Sequence, residues 1–485
     1  MTEAPSSMTQ RSGNGWFGLF LLAQIALLVG VLWLPGEVMI WLLGVAVGLS
    51  YLVLLVMHPW AIVPLIVATT ALDITGRLVK ETPIGIPLTG FHVTLGLMGL
   101  SVLVNACLRK RTEFPDFELK VPLAVLFGVM ALSLTYTPNF VDGTVGVMRT
   151  LFLIGFLYLT QIVIDRKVAV DAVVVSIALA LVGGSILALV QIVTEEFYLP
   201  ASFVIAVGAN VPRAAGTFHN PNTFGTFLMC GSVLLTAVLL TCRLPTWKTL
   251  LLLLGVALGI TGLVVTFSRA NWVAAGVGIG AIFILIGKVR YVVYAMLVGV
   301  VAILAMKEFV PFADHIFERF MSIFTLFEQF GQTGRESSSG RVYFALAGLE
   351  MFLDNPLVGA GWRAFPVLFD QYKAPEFPYW IPTKESHTLF ANILAELGMV
   401  GFTASCWIVV KTVSAGFRGF RTIRDQYLRA VMCGLLAAFV GFQVSLSFTA
   451  DFSNNYLWFF TGLIFAVNGI DRADETDVGP RTAPG

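Results

Sequence analysis

The sequence predicts an all-α polytopic membrane protein of about 12–14 transmembrane helices with one long extracytoplasmic loop that itself bears helices. Three observations predict it. Of the 485 residues, 57% are hydrophobic and only 12% charged, whereas a soluble domain needs about a quarter charged residues to clothe its surface. The apolar residues fall in runs of about 20, the length that a bilayer core requires of a helix. The runs are unbroken rather than alternating, so they satisfy their backbone in lipid as helices and not as strands of a closed barrel. The near-zero formal charge of +1 hides an uneven placement of the charges, and nothing in it resembles a nucleic-acid footprint.

In chain order, the apolar runs place spans near 16–35, 37–57, 59–73, 88–108, 121–137, 145–164, 168–193, 222–241, 248–267, 270–287, 289–306, 387–410, 429–448 and 455–470. The first run, Trp16 to Pro35, is too long for the apolar core of a signal peptide. No small-residue cleavage site follows it, so it reads as a retained helix. Lys and Arg placement then orients the chain with its N-terminus inside. The inner connections carry Arg109, Lys110, Arg111, Arg166, Lys167, Arg243, Lys248, Lys288 and Arg290, with a dense cluster at Lys411, Arg418, Arg421, Arg424 and Arg429. The outer ones carry few positives: Arg77, Lys80, Arg149, Arg213 and Arg269. The division that follows is an N-terminal bundle over 1–306, an outer loop over 307–386, C-terminal spans over 387–470 and an inner tail over 471–485.

The loop is far longer than an ordinary connection. In its first part Phe309, Phe312, Ile316, Phe320, Ile323, Phe324 and Phe327 recur at helical spacing, with Glu308, Glu318 and Glu328 between them. That pattern predicts an amphipathic helix lying on the membrane or capping the bundle. A Gly331–Gly340 stretch reads as flexible. A second helix is predicted from about Arg341 to Leu353, stopped by Asn355-Pro356. Gly359-Ala-Gly361-Trp362 reads as a turn and the Pro-rich run 375–382 as an irregular lid.

Several chemistries find no support in the pattern. The five cysteines (Cys107, Cys230, Cys242, Cys406 and Cys433) lie in apolar spans or at inner ends without CxxC spacing, which suits packing rather than disulfides or zinc. His58, His92, His219 and His315 show no i,i+4 pairing. The acidic pairs are Glu195-Glu196, alone on an outer loop, and Asp116-Phe-Glu118 on the inner face. No metal site and no cofactor are expected. No internal repeat of the kind found in many transporters stands out.

Charged groups beside apolar spans are costly and so draw attention first. Arg213 precedes Asn220-Pro221-Asn222, which reads as a helix start with an Asn cap and Pro in the first turn. Free N–H groups there, with the arginine, would bind an anion. The plainer reading is a capped helix with a snorkelling arginine. Arg269 follows Ser268 in a tight outer turn, where an interfacial Arg/Trp anchor with Trp272 is the plainer reading. For Arg341 the plainer reading is a solvated loop charge. His387 stands where the loop re-enters the membrane; histidine suits proton transfer near neutrality, yet often serves merely as a packed ring. His219 lies close enough to Arg213 to support it.

These residues carry a resemblance. His387-Thr388, nine residues, then Gly398-Met-Val-Gly401-Phe402 resembles the His-[Asn/Ser/Gln]-x9-Gly-x-x-Gly-Thr pattern of bacterial O-antigen ligases, with Thr388 and Phe402 as departures. Arg213 with Gly216 and Pro221-Asn222, Ser268-Arg269, and Arg341 followed by Asn355-Pro356-Leu-Val-Gly359-Ala-Gly361 also resemble the O-antigen ligase/polymerase superfamily, over roughly 200–405. The resemblance implies a metal-independent glycosyltransferase of the bacterial inner membrane, working at its periplasmic face on an undecaprenyl-pyrophosphate-linked glycan donor. The acceptor it implies is lipid A–core for a ligase or another lipid-linked glycan for a polymerase of O-antigen or exopolysaccharide; related members modify pilin-type proteins. It implies that Arg213, Arg269 and Arg341 bind the pyrophosphate and that His387 is catalytic, with His219, Asn222 and Ser268 in support. Two other classes are a transporter or lipid flippase, which would use ionisable groups deep in spans such as Glu396, and an assembly scaffold.

Overall fold

Runs too apolar to face water become helices, because inside lipid only a helix closes every backbone hydrogen bond within its own segment. The computed structural model describes residues 51, 53–55, 57–72, 77–79, 88–109, 114–198, 206–207, 211–218, 220–294, 297, 313–323, 337–375, 386–449 and 452–477. Among these, seven helices are long and apolar enough to cross a membrane: α2 (Gly90–Cys107), α4 (Phe140–Val163), α5 (Lys167–Thr194), α6 (Pro221–Thr241), α7 (Thr246–Val265), α12 (Leu389–Thr422) and α13 (Gln426–Leu446). Shorter apolar helices are α1 (Pro59–Ala71), α3 (Lys120–Ser133) and α8 (Arg269–Leu285), and α14 (Asn455–Asp477) is apolar as far as Ile470. The chain is thus an all-α, multi-pass membrane protein. Each of these helices falls on an expected apolar run. The run at 16–35, most of 37–57 and most of 289–306 lie outside the described residues.

Helix ends depart from the apolar runs where polar residues continue a helix beyond them. α12 extends to Thr422 instead of stopping near 410, carrying Lys411, Arg418 and Arg421 on its last turns. α14 likewise runs into the expected tail, to Asp477.

Among the described spans, α6 and α13 are the most enclosed, largely apolar around their circumference and packed on each other and on α8. A helix apolar all round is one that has neighbours all round. Small residues let them approach: a Cβ on Gly434 would meet the Leu234 backbone, and one on Gly441 the carbonyl of Ala274.

The connections sort into two ends. At the basic end, Lys248 Nζ lies 2.6 and 2.8 Å from the Asp171 carboxylate, which also accepts from the Tyr427 hydroxyl at 2.7 Å. Lys167 pairs with Asp425 at 2.6 Å and Arg418 with Glu118 at 2.8 Å. These contacts join α5, α7, α12, α13 and the segment before α3. The opposite, loop end gathers the α7–α8 turn, the segment before α6 and the long loop. Two small antiparallel ribbons, β1 (Arg77–Val79) with β2 (Leu88–Thr89) and β3 (Ala206–Val207) with β4 (Val211–Pro212), lie in connections at the loop end; β4 leads directly into Arg213.

The long loop holds three described helices: α9 (Ala313–Met321), α10 (Ser337–Asp354) and α11 (Phe365–Tyr372). α9 is the central part of the expected amphipathic helix. Ile316 is buried in the main core while Asp314 and Glu318 are exposed, so the helix caps the bundle. Phe309, Phe312, Phe324 and Phe327 lie outside the described residues. α10 starts a turn before Arg341, because Ser337 to Gly340 continue the helix. α11 has no counterpart in the sequence reading.

Candidate active site

Arg213 is held from three directions. Its segment is clamped by Gln191, buried near the end of α5. The Gln191 Oε1 accepts the N–H groups of Ala215 (3.1 Å) and Gly216 (2.9 Å), and its Nε2 donates to the Gly216 and Phe197 carbonyls at 2.9 and 3.2 Å. Ala214 N–H donates to Val265 O at the end of α7. The Arg213 guanidinium, only 5% exposed, then donates from Nε to Thr266 O and from Nη2 to Asn222 Oδ1, each at 2.7 Å. Gln191 carries no sequence signal of this role, since a lone amide near a span's end reads as ordinary surface.

Asn220-Pro221-Asn222 does start a helix, with Asn220 Oδ1 capping the Asn222 N–H at 2.8 Å. Of the first-turn donors expected to be free, Asn222 N–H is therefore taken, Phe224 N–H binds Asn220 O at 3.1 Å, and Pro221 has none. The backbone cradle expected there is largely consumed, and anion-binding capacity rests on side chains. Asn222 instead organises a buried network: its Oδ1 also accepts from Ser268 Oγ at 2.9 Å and its carbonyl from Asn271 Nδ2 at 2.8 Å. Asn271 Oδ1 accepts from Ser445 Oγ (2.8 Å) and Thr226 Oγ1 (3.1 Å). The network locks the starts of α6 and α8 to the end of α13. A buried polar network with its partners in place fixes one geometry.

Arg269, the first residue of α8, points to the long loop. Its Nη1 donates to Ser322 Oγ at 2.8 Å, and Ser322 Oγ donates to Arg319 O at 2.7 Å, fastening the end of α9. This brings in a residue that the sequence reading missed. Arg319 is three residues after buried Ile316, so it shares the inward face of α9, and its Nε is excluded from solvent. The i, i+3 spacing from Ile316 was the available signal. An arginine inside an apolar stripe is out of place on an amphipathic helix unless it faces something.

What it faces is other arginines. Burial first, then the charges of Arg319, Arg341 and Arg269, push the Arg213 guanidinium down to about 9. Burial and the Arg319 charge push Arg341 down to about 10. Like charges held this close disfavour one another and favour an anion between them. His387 stands beside this group: burial first and then the Arg341 charge lower its imidazole to about 4, so it is neutral at physiological pH. Its ring meets Phe344, three residues along α10 from Arg341, edge-on with centroids 5.4 Å apart. The structure thus gathers Arg213, Arg269, Arg341 and His387 at the loop end, with Asn222 and Ser268 supporting Arg213. His219 lies outside the described residues.

Backbone strain concentrates at the same end. Phe267, Arg363 and His387 have positive φ of 51°, 63° and 51°, beside Arg269, beside Trp362 and at the imidazole itself. Such conformations persist only where surroundings enforce them, and they cluster at functional sites.

The His-x10-Gly-x-x-Gly pattern acquires a mechanical meaning. α12 is broken at Gly398 (φ 61°, ψ −161°), and the 356–361 segment docks into the break. Ala360 N–H donates to Ala395 O (2.8 Å), Gly361 N–H to Glu396 O (2.9 Å) and Met399 N–H to Pro356 O (2.9 Å). A Cβ on Gly359 would lie 2.4 Å from the Glu396 backbone, and one on Gly398 2.5 Å from Leu357. Two backbones meet here, and only glycine permits it. Among the described residues, no group of three or more His, Cys, Asp or Glu side chains could hold a metal.

The family model described as O-antigen ligase matches residues 254–406, from within α7 to just past the break in α12. Arg269, Arg319, Arg341 and His387 fall inside the match, and Arg213 precedes it. No curated protein matches the chain.

Proposed function

We propose that this chain, whose residues 254–406 match the family model described as O-antigen ligase, belongs to the O-antigen ligase/polymerase superfamily and transfers a glycan from an undecaprenyl-pyrophosphate donor to an acceptor hydroxyl. The reaction takes place at the periplasmic face of the bacterial inner membrane, without a metal. The observation that carries the reading is Arg213: a buried guanidinium whose neighbouring charges are Arg319, Arg341 and Arg269, of which Arg341 also bears on a neutral His387.

Glycan transfer breaks the bond between the anomeric carbon and the pyrophosphate oxygen, and the electron pair leaves with the pyrophosphate. Fixed guanidiniums meet that charge without reorganising, which is the largest lever available to such a site. The acceptor hydroxyl loses its proton as its oxygen attacks the anomeric carbon. His387, held neutral, accepts that proton or orients the hydroxyl. Arg213 and Arg269 hold the pyrophosphate, and Arg341 adds a contact next to His387. Exposed Leu346, Leu349 and Leu353 on α10, with Leu357 and Val358 after it, offer an apolar surface for the polyprenyl chain. Lipid A–core and a second lipid-linked glycan both fit as acceptors, in ligase and polymerase readings respectively.

The test is a reconstituted assay with a lipid-linked glycan donor and both acceptors in competition. Arg269→Ala and His387→Ala each should lower transfer by about a hundredfold or more while the protein stays folded in the membrane. Arg269→Lys should recover little, since an ammonium lacks the forked geometry. Near-wild-type rates in either alanine variant overturn the proposal. The acceptor consumed separates ligase from polymerase.

A further inference from the structure

Glu396 is a carboxylate two turns into α12, 2% exposed, that the proposed reaction does not use. Its Oε1 accepts the N–H of Phe365, the first residue of α11, at 3.1 Å. Its Oε2 accepts from Asn392 Nδ2 at 3.2 Å, and the carboxylate also faces the backbone N–H and side chain of Arg363. A carboxylate at a helix N-terminus meets orphan donors and the positive end of the helix dipole. Here it also fixes Arg363, whose positive φ needs an external constraint.

The helix so anchored supplies half of a small separate core. Phe365 and Phe369 of α11 pack with Phe344, Ala347 and Met351 of α10 and with Ala395, the neighbour of Glu396. Ring centroids are 4.8 Å apart for Phe344–Phe369 and 6.5 Å for Phe344–Phe365. Phe344 is the ring that meets His387. A continuous path of contacts therefore runs from Glu396 through α11 to Phe344 and the imidazole.

We infer that Glu396 is a positioning residue: it pins α11 so that Phe344 is held against His387, keeping the imidazole dry and oriented beside Arg341. The inference rests on the reading of His387 given above. The groups around the imidazole agree with this assignment. On α10, Arg341 is the charge that bears on His387, Asp354 is bonded to Tyr372, and Glu350 is exposed. On α11 and just after it, Asp370 pairs with Lys373 at 3.1 Å. On α12, Glu396 itself is engaged with α11 and Asn392.

The test compares full-length wild type, Glu396→Leu, Glu396→Gln and Phe344→Ala in nanodiscs, measuring transfer from a lipid-linked glycan as a function of pH. A base must be neutral to accept a proton, so the rate falls as pH drops through the pKa of His387. In wild type that limb is expected near pH 4. Loss of the aromatic cover relieves the burial that lowers His387 most while the Arg341 charge stays, so the limb moves up toward 6.5; at the limit of full relief the rate at about pH 5 relative to its neutral-pH plateau drops roughly thirtyfold. Glu396→Leu and Phe344→Ala should both move the limb upward, and Glu396→Gln, which still accepts the Phe365 N–H, should keep it near wild type. A merely structural role lowers the amount of folded protein without moving the limb. An unmoved acid limb in Glu396→Leu overturns the inference; should that variant fail to fold, an unmoved limb in Phe344→Ala does so. His387→Ala separates the two readings. If it stays active, the role given to His387 falls and this inference with it; if it is dead while the limb is unmoved in the other variants, only the positioning role falls.

Discussion

Replacing Arg213 by methionine removes a charge that the unliganded protein holds at a loss, so the fold should scarcely notice and ligand binding should suffer. The guanidinium's pKa is pushed down from its ordinary value to about 9, by burial and then by Arg319, Arg341 and Arg269. At about 1.4 kcal/mol per pKa unit, that depression corresponds to roughly 5 kcal/mol against the charged form. Against it stand two hydrogen bonds from a charged donor, to Thr266 O and Asn222 Oδ1, worth about 1.5–3 kcal/mol each. The two sides balance within a few kcal/mol. Methionine fills much of the same volume without the charge, leaving unliganded stability near wild type. Thermal unfolding in detergent, with and without undecaprenyl pyrophosphate, reads both quantities. Ligand at about a hundred times its Kd should stabilise wild type by about 2.7 kcal/mol, and Arg213→Met should lose most of that gain. A collapse of the unliganded variant, or an undiminished ligand shift, refutes the reasoning.

Two further outcomes follow from the packing. Gly398→Ala should unfold or misdock the loop at a cost of about 3 kcal/mol or more, because Gly398 has a backbone conformation that only glycine adopts readily and its Cβ would strike Leu357 at 2.5 Å; a thermal scan within a few degrees of wild type contradicts this. Gln191→Leu removes three hydrogen bonds to the segment bearing Arg213 and one to Phe197 and should raise the donor KM more than it lowers kcat, as measured by initial rates over a donor titration.

Much of the architecture was legible because lipid allows few solutions. A run of about 20 apolar residues spans as a helix wherever it occurs, so α2, α5, α6, α7 and α13 could be placed within a few residues from composition alone. Their ends were less legible: α12 continues for twelve residues past its apolar run, since charged residues make good helix once outside the bilayer. The loop-end arginines and His387 could be picked out because charge beside apolar spans is expensive. Arg319 was hidden inside a stripe read for its phenylalanines, and Gln191 looked like any amide near a helix end. Glu396 stands out in the sequence only as an ionisable group deep in a span, which by itself suits a transporter; its contacts with α11 are not legible there. α11 has no periodic signature, being eight residues long with a start set by the Glu396 carboxylate.

The sequence by itself determined a helical membrane bundle, its grouping of connections into two ends, and a short set of charged residues at one of them. Those follow from transfer free energies that act residue by residue. Only the tertiary structure decided that Arg213, Arg269, Arg319 and Arg341 bear on one another, that His387 lies against Phe344, and that Gly359 and Gly398 interlock two backbones. Such contacts join segments far apart in the chain. Their energies depend on distance and burial between partners, which no local pattern of residues encodes.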